Sequence, residues 1–305
     1  MSLKWRDVGA ARDQTQTPPL GKKPPVGMTK FVGDEWDFRR YFGSRLALEP
    51  ALGEDLRRSP PAVPRRRKSE PENGVSTATL KLRLLKRLHC TTKYEKEIWS
   101  GGARLIAGLD EVGRGSLFGP VVAAAVILDP AYRIRGLRDS KLLKPERREL
   151  LAERIRAHAI AYAIAAVDAA RIDQINIYHA SKLAMVEAVR QLLPQPDHLL
   201  IDALRINFDC PQTPVIHGDA LSASIAAASI LAKVERDRMI SQWDPVFPLY
   251  RLASNKGYST PHHISMLRQH GPSPLHRQSF APVWNAPSPQ EVLEFMLGEE
   301  EIVSS

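Results

Sequence analysis

The sequence predicts an α/β protein in which helices flank a central five-stranded mixed sheet. Two short apolar segments separated by a glycine-rich turn, Arg104–Leu109 and Val121–Leu128, are typical of paired strands. After them, apolar strand-like runs alternate with segments of helical periodicity, and this order indicates a sheet with helices on its faces. Apolar residues make up 43 % and charged residues 25 % of the 305-residue chain, which is typical of a globular protein with a core.

Helices are predicted where capping signals and periodicity agree. Pro145 opens one helix, because proline suits the first helical position. Thr260 and Pro261 open another, which Gly271 and Pro272 end, and a C-terminal helical part follows the sheet. Further helices are predicted at Ile172–Leu193 and Ser224–Trp243, and further strands at Ala159–Val167, His198–Ala203 and Pro214–His217.

The chain divides into three parts by composition. Residues 1–75 hold 9 of the 24 prolines and a basic run, so we predict a disordered N-terminal extension, with a short helix near Asp34–Phe42 as an alternative. Residues 76–287 form the predicted globular domain, which starts with leucines at helical spacing among basic residues. That helix either docks its leucine face on the core or presents its basic face to nucleic acid. Residues 288–305 form an acidic tail.

The net charge of +9 is distributed unevenly along the chain. Residues 1–75 carry 15 basic and 10 acidic side chains, residues 76–100 carry 6 and 2, and residues 101–305 carry 22 of each. The basic excess therefore belongs to the N-terminal part. Global charge alone is weak support for a nucleic-acid partner of residues 101–305.

Several protein classes are excluded by what the sequence lacks. No run of about 18 apolar residues is present to span a membrane, and the N-terminal residues lack the apolar stretch of a secretory signal. Cys90 and Cys210 lie far apart and outside any CxxC pattern, which predicts neither a zinc site nor a disulfide framework. We expect a cytoplasmic protein that is not bound to a membrane. We also expect a monomer, because the sequence shows no unexplained apolar stripe that a second protein chain would need to cover.

Four acidic residues stand in apolar surroundings, where a carboxylate is costly unless it is paired. They are Asp110, Glu111, Asp202 and Asp219, and three of them have no lysine or arginine beside them in the sequence. Carboxylates that converge at strand ends are the ligands that hard divalent cations need, and two such ions can activate a water for phosphodiester hydrolysis. Taken singly, each acid is better explained as a turn or helix-cap residue, and capping is especially attractive for Asp219; the coincidence of all four favours a cation site.

Asp110 and Glu111 are adjacent, and neighbouring strand residues face opposite sides of a sheet. Gly113 and Gly115 follow directly, so we predict that the strand ends at the acidic pair and that both carboxylates turn inward.

Two loops are candidates for substrate contacts. Gly113, Arg114 and Gly115 allow close backbone approach to a ligand, although taken alone they are better explained as a plain turn. Lys256 and Tyr258 offer a cation for a phosphate and an aromatic ring for stacking, while a tyrosine packed under its own loop is the alternative. The nearby histidines lack metal-ligand spacing, so we interpret them as structural or solvent-facing, with His276 and Arg277 as candidate substrate-side residues.

These motifs together resemble ribonuclease HII of bacteria. The segment GLDEVGRGSLFGPVVAAAVIL is similar to the first block of that family, with an Asp-Glu pair and a Gly-Arg-Gly loop at this spacing. Asp139-Ser140-Lys141-Leu142 resembles the family's DSK segment, and Leu200-Ile201-Asp202 matches its third acid. Residues 218–237 are similar to the fourth-acid block, and residues 255–263 and 271–283 match the last two blocks. The resemblance covers roughly residues 77–285.

The resemblance implies a ribonuclease H-like fold and a site for Mg²⁺ or Mn²⁺. The metal-binding, catalytic carboxylates would be Asp110, Glu111, Asp202 and Asp219. The Gly-Arg-Gly loop would recognise a 2′-hydroxyl at an RNA–DNA junction, Tyr258 would stack on the adjoining deoxyribose, and Lys141 would contact a phosphate. Arg114 also argues against the sister family ribonuclease HIII, whose loop lacks that arginine.

The implied activity is hydrolysis on the 5′ side of a ribonucleotide, leaving a 3′-hydroxyl and a 5′-phosphate. The implied partners are RNA/DNA hybrids and duplex DNA that contains ribonucleotides, and the implied biological role is ribonucleotide excision during DNA replication and repair. Two other hypotheses stay open on the sequence. One is a non-catalytic nucleic-acid-binding protein, and the other is a different nuclease of the same fold.

Overall fold

A computed structural model describes residues 28–31, 88 and 90–287 of the chain. The predicted helix near Asp34–Phe42, the acidic tail and all but one residue of the leucine-rich helix lie outside these residues.

The described residues form one mixed sheet of six strands in the order β1-β4-β3-β2-β5-β6. The strands β1 to β4 pair antiparallel, whereas β2, β5 and β6 run parallel to one another. The predicted five-stranded mixed sheet is confirmed, and a short edge strand is added to it. The bounds are β1 Met28–Phe31, β2 Ile106–Val112, β3 Val121–Leu128, β4 Ala159–Val167, β5 His198–Asp202 and β6 Gln212–Val215.

The added strand β1 comes from the extension that the sequence predicts to be disordered. Its backbone pairs antiparallel with residues 164–167 of β4, at the edge of the sheet. Four residues are too few to produce a readable period-two pattern, so the sequence carries no signal for this strand.

Helices flank the sheet on both faces and form a C-terminal part, as predicted. The helices are α1 Lys93–Ser100, α2 Pro145–His158, α3 Ala169–Arg190, α4 Gly218–Leu221, α5 Ala223–Gln242, α6 Leu252–Asn255, α7 Pro261–His270 and α8 Ala281–Trp284. Residues 140–142 and 248–250 form single 3₁₀ turns. The predicted starts at Pro145 and Pro261 are confirmed, and Thr260 caps α7 through a bond from the His263 amide to its side chain.

Helix α3 begins three residues before its predicted start, because the side chain of Asp168 accepts a hydrogen bond from the Arg171 amide and caps it. Asn176, at φ 63° and ψ 164°, then interrupts the helix. Its side chain accepts bonds from the amides of Tyr178 and His179 and so caps the second part. An asparagine inside a periodic pattern therefore marks a kink.

The sheet divides the core into two layers. Helix α3 packs on one face, which includes Leu109 and Ile201, and helices α2 and α5 pack on the other, which includes Val122 and Ala124. At Gly108 of β2 the backbone of α5 lies so close that a Cβ would stand 2.1 Å from the carbonyl carbon of Ser224. This glycine therefore fixes the depth at which α5 rests on the sheet. In the described residues, no helix combines the length and apolarity that crossing a membrane requires.

Candidate active site

Three of the predicted acids lie together near the carboxyl ends of the neighbouring interior strands β2 and β5. Strands β2 and β5 are parallel with Gly108 opposite Leu200, and Asp110 and Asp202 each lie two residues further along on the same face. That face is the one covered by α5. Asp219 approaches from the short helix α4, where the Gly218 amide donates a 2.8 Å hydrogen bond to Oδ1 of Asp202. The fold thus brings these three carboxylates together from separate segments.

Glu111 differs from the prediction. Strand β2 does not end at the acidic pair but runs on to Val112, with Asp110 opposite Ala124 and Glu111 opposite Ala123. The prediction that the strand ends at the acidic pair was wrong, because β3 supplies ladder partners through this stretch. The charge of Glu111 is nevertheless the first cause after burial that raises the pKa of Asp110, so its carboxylate lies beside the cluster.

The electrostatics of the acids reflect their burial and mutual repulsion. Asp110 is 7 % exposed, and burial, followed by the charges of Glu111 and Asp202, raises its pKa well above the ordinary value. A hydrogen bond from Ser229 on α5 acts in the opposite direction. Burial is also the main cause that raises the pKa of Asp202 and of Asp219. The site is a group of carboxylates whose charged forms are poorly stabilised by the protein alone.

Two of the acids have cationic partners, contrary to the expectation from sequence neighbours. Nη1 of Arg114 lies 3.1 Å from Oε1 of Glu111. Nζ of Lys141, on a side chain that is 77 % exposed, lies 3.5 Å from Oδ2 of Asp219. Lys141 comes from a distant segment, which the sequence pattern did not place beside Asp219.

A fifth acid, Asp139, was missed as a site residue. It is 2 % exposed, and its side chain accepts a hydrogen bond from the Lys141 amide at 2.9 Å. After burial, its charge is the next cause that raises the pKa of Asp219, which places it close to the cluster. The available signal was its position in the DSK segment directly before Lys141.

The donor set matches a divalent cation in its chemistry. In the described part of the chain, no three His, Cys, Asp or Glu side chains already form a ready-made metal centre. The acids on the α5 face nevertheless offer several oxygen ligands from carboxyl groups whose pKa values are raised by burial and by neighbouring acids. Hard cations such as Mg²⁺ and Mn²⁺ take oxygen ligands of this kind.

The two predicted substrate loops are joined to each other beside this cluster. We call Gly113, Arg114 and Gly115 the Gly-Arg-Gly loop, and residues 255–260 the Tyr258 loop. The carbonyl oxygen of Gly257 accepts bonds from the Leu117 amide and from Oγ of Ser116, each at 2.9 Å. The loops therefore form one surface, with Arg114 and Gly115 exposed on it.

Tyr258 is half-buried and lies over two cations of α5. Its ring centroid is 5.4 Å from Cζ of Arg236 and 5.8 Å from Nζ of Lys233. The predicted alternative, a tyrosine packed under its own loop, is only partly met. Lys256 is already engaged, since its Nζ donates a 2.6 Å bond to Oγ of Ser241.

The substrate-side prediction for His276 and Arg277 was wrong, because both are buried, at 1 % and 0 % exposed. The Nε2 atoms of His276 and His263 lie 2.9 Å apart. Burial and the neighbouring His263 lower the pKa of His276 to about 3, so it is neutral at pH 7. The structural interpretation of these two histidines is therefore confirmed. An isolated β-bridge joins Phe118 to His276 and holds the segment around His276 beneath the loops. These residues lie far apart in the chain, so no local sequence pattern predicts the contact.

The two glycines of the Gly-Arg-Gly loop provide a matched pair of variants. Gly113→Ala is expected to lower the free energy of unfolding by about 2–4 kcal/mol. Its φ is +93°, and an added Cβ would stand 2.1 Å from Nε of the buried Arg236. Gly115→Ala meets nothing within 4 Å and should change the stability by less than about 0.5 kcal/mol. Urea denaturation of both variants measures the difference, and equal stabilities would contradict the described loop packing.

The arrangement of acids and loops is shared with a known protein family. The family model described as Ribonuclease HII matches residues 107–283, which span the acids and both loops. The chain belongs to the ribonuclease HII family. Members of this family are metal-dependent endoribonucleases, and this chain is an enzyme of that class.

Curated relatives and a solved structure agree with this assignment. A ribonuclease HII from Koribacter versatilis (strain Ellin345) is 73 % identical over 74 % of this chain and 89 % of the relative. One from Solibacter usitatus (strain Ellin6076) is 57 % identical over 65 % of this chain and 86 % of the relative. The crystal structure of ribonuclease H2 from Pyrococcus horikoshii OT3 matches with a TM-score of 0.53 and 24 % identity, covering 63 % of this chain and 99 % of the other. This last likeness concerns the fold, and it confirms the predicted ribonuclease H-like architecture.

Proposed function

We propose that this ribonuclease HII hydrolyses the phosphodiester on the 5′ side of a ribonucleotide, leaving a 3′-hydroxyl and a 5′-phosphate. Its substrates are RNA/DNA hybrids and duplex DNA with single ribonucleotides, and it acts as a monomer in ribonucleotide excision. The observation that carries the proposal is the group of poorly neutralised carboxylates on the α5 face, directly beside the joined loops. When a phosphodiester is bound at the acids, the sugar next to it would lie beside the loops.

Asp110, Asp202 and Asp219 would hold the divalent cation on the α5 face, and Glu111 would join them from the end of β2. Bound Mg²⁺ or Mn²⁺ supplies a water of lowered pKa and neutralises charge on the scissile phosphate. Burial shields the carboxylate of Asp110 from water, and a hydrogen bond from Ser229 orients it. Release of Lys141 from Asp219 would free its ammonium for a phosphate oxygen, since the side chain is largely exposed.

The joined loops would select the sugar. Gly113, Arg114 and Gly115 present backbone N–H and C=O groups, which match a 2′-hydroxyl because that group both donates and accepts. Tyr258 would stack on the deoxyribose that follows, with its ring held over the cations of α5. The ammonium of Lys256 would lie near the phosphate backbone of the substrate and attract it. Its position is set by its hydrogen bond to Ser241.

One assay tests the proposal against its two alternatives. The full chain is incubated with a labelled DNA duplex carrying one ribonucleotide, with Mg²⁺, with Mn²⁺ and with EDTA. We expect one metal-dependent nick immediately 5′ to the ribonucleotide and a 3′-hydroxyl that a polymerase extends. Binding without any nick would favour a non-catalytic protein, and equal cutting of an all-DNA duplex would favour a different nuclease of the same fold.

A further inference from the structure

Two arginines beneath the loops, Arg236 on α5 and Arg277 before α8, are 0 % exposed. Within the part of the chain that the structure describes, neither has a carboxylate oxygen within 4 Å. Burying a cation without an anionic partner lowers the stability of the fold. An apolar side chain of similar size in the same place would lower it less. Nη2 of Arg277 is also buried without a hydrogen-bond partner. Stability alone therefore does not explain why cations lie here.

Arg277 holds the Gly-Arg-Gly loop. Its Nη1 donates to the carbonyl oxygen of Arg114 at 3.0 Å, and its Nε donates to the carbonyl oxygen of Gly119 at 2.9 Å. Its own amide donates to the carbonyl oxygen of Leu117 at 2.9 Å, which ties the same segment from the main chain. The backbone that presents Arg114 to the surface is thus fixed from below by a charged donor.

Arg236 holds the Tyr258 loop to the same base. Its Nη1 donates to the carbonyl oxygen of Lys256 at 3.0 Å, and its Nη2 and Nε donate to the carbonyl oxygens of Phe118 and Pro120, each at 3.2 Å. Gly113 rests directly on this guanidinium, since a Cβ there would lie 2.1 Å from Nε. One planar group therefore touches both loops.

We infer that Arg236 and Arg277 are positioning residues that set the spacing between the Gly-Arg-Gly loop and Tyr258, and thereby the selectivity for a ribonucleotide. This inference rests on the proposed function of the two loops. Charge-assisted bonds to carbonyl oxygens are shorter and stronger than neutral ones, and a guanidinium directs them in a fixed plane. A recognition site that depends on one hydroxyl needs such rigidity, because a loop displaced by about 1 Å loses the bond to it.

The test compares Arg277→Met and Arg277→Lys with Arg156→Met. Arg156 is a matched control because it is a half-buried arginine of α2 whose side chain pairs with Glu235 at 3.4 Å rather than with a loop carbonyl. Equilibrium binding is measured in EDTA, so that nothing is cut, to a duplex with one ribonucleotide and to the same duplex entirely of DNA. Selectivity is expressed as the Kd for the all-DNA duplex divided by the Kd for the duplex with one ribonucleotide. This ratio is independent of the fraction of folded protein, because unfolded protein changes both apparent Kd values by the same factor.

We expect Arg277→Met to reduce this ratio about tenfold or more, which corresponds to the loss of a charged hydrogen bond. Arg277→Lys keeps the charge but reaches one carbonyl at a time, so its ratio should fall between those of Arg277→Met and the unmodified chain. Arg156→Met should leave the ratio unchanged even where thermal unfolding shows a loss of stability.

An unchanged ratio in either Arg277 variant, whatever its melting temperature, would overturn the inference. If Arg277→Met fails to fold, the ratio for Arg277→Lys decides the question. An unmodified chain that binds both duplexes equally in EDTA, and nicks neither when Mg²⁺ or Mn²⁺ is added, would contradict the proposed function instead, so the two failures are distinguishable.

Discussion

Asp110→Asn is expected to reduce the rate of ribonucleotide-directed cleavage by at least about 10³-fold while stabilising the metal-free protein at neutral pH. The loss follows from removing a charged ligand at the centre of the proposed cation site, since electrostatic stabilisation of this kind carries several kcal/mol of the barrier. Asparagine has nearly the same shape, so hybrid binding should stay largely intact. A variant that still cuts normally would refute the assignment of Asp110.

The stabilising effect has a definite dependence on pH. The pKa of Asp110 is raised in the folded state by burial and by Glu111, so the folded protein holds this proton more tightly than the unfolded chain. The resulting contribution to stability is present at acid pH and is lost as the pH rises through the raised pKa. Asn carries no group that titrates here, so it should be the more stable form above the range where this contribution is lost.

Urea denaturation in EDTA at pH 5 and at pH 7 measures this gain, which should be larger at pH 7. Asp209→Asn is the matched control, because Asp209 is exposed and its replacement should leave the stability within about 0.5 kcal/mol. With saturating Mg²⁺ the order should reverse, because the unmodified chain gains binding free energy that Asp110→Asn lacks. No gain at pH 7 in EDTA would contradict the described electrostatics of the cluster.

Gly108→Ala is expected to lower the free energy of unfolding by at least about 3 kcal/mol. The added Cβ would stand 2.1 Å from the carbonyl carbon and 2.3 Å from the carbonyl oxygen of Ser224, and 2.4 Å from the Ile225 amide nitrogen. These are backbone atoms of α5, so the helix must shift away from β2. The same shift would separate Ser229 from Asp110 and lower activity as well.

The sharpest control for this prediction is the double variant Gly108→Ala with Ser224→Ala. The clash involves the backbone of Ser224, so trimming its side chain should restore neither stability nor activity. Recovery in the double variant would mean that the side chain, and not the depth of α5, limits the packing at Gly108. Thermal unfolding and the nicking assay together measure both effects.

Local sequence signals were sufficient for much of the scaffold. Strands β3 and β4 have the predicted bounds, because each is an apolar run ended by turn residues. Helices α2 and α7 begin at the predicted prolines, since proline and a capping threonine act within one turn of the chain. Helix α1 was missed because it is only eight residues long, and its apolar face of Tyr94, Ile98 and Trp99 repeats over barely two turns.

The sequence by itself determined the element order, the acids stranded in apolar runs and the family that these motifs resemble. Only the tertiary structure decided how the parts meet. It extended β2 beyond Glu111 because β3 continues the ladder, paired Lys141 with Asp219, and placed Asp139 beside the cluster. It also moved Arg277 from the expected surface to the base of the loops. Such contacts join residues far apart in the chain, and local propensity carries no information about them.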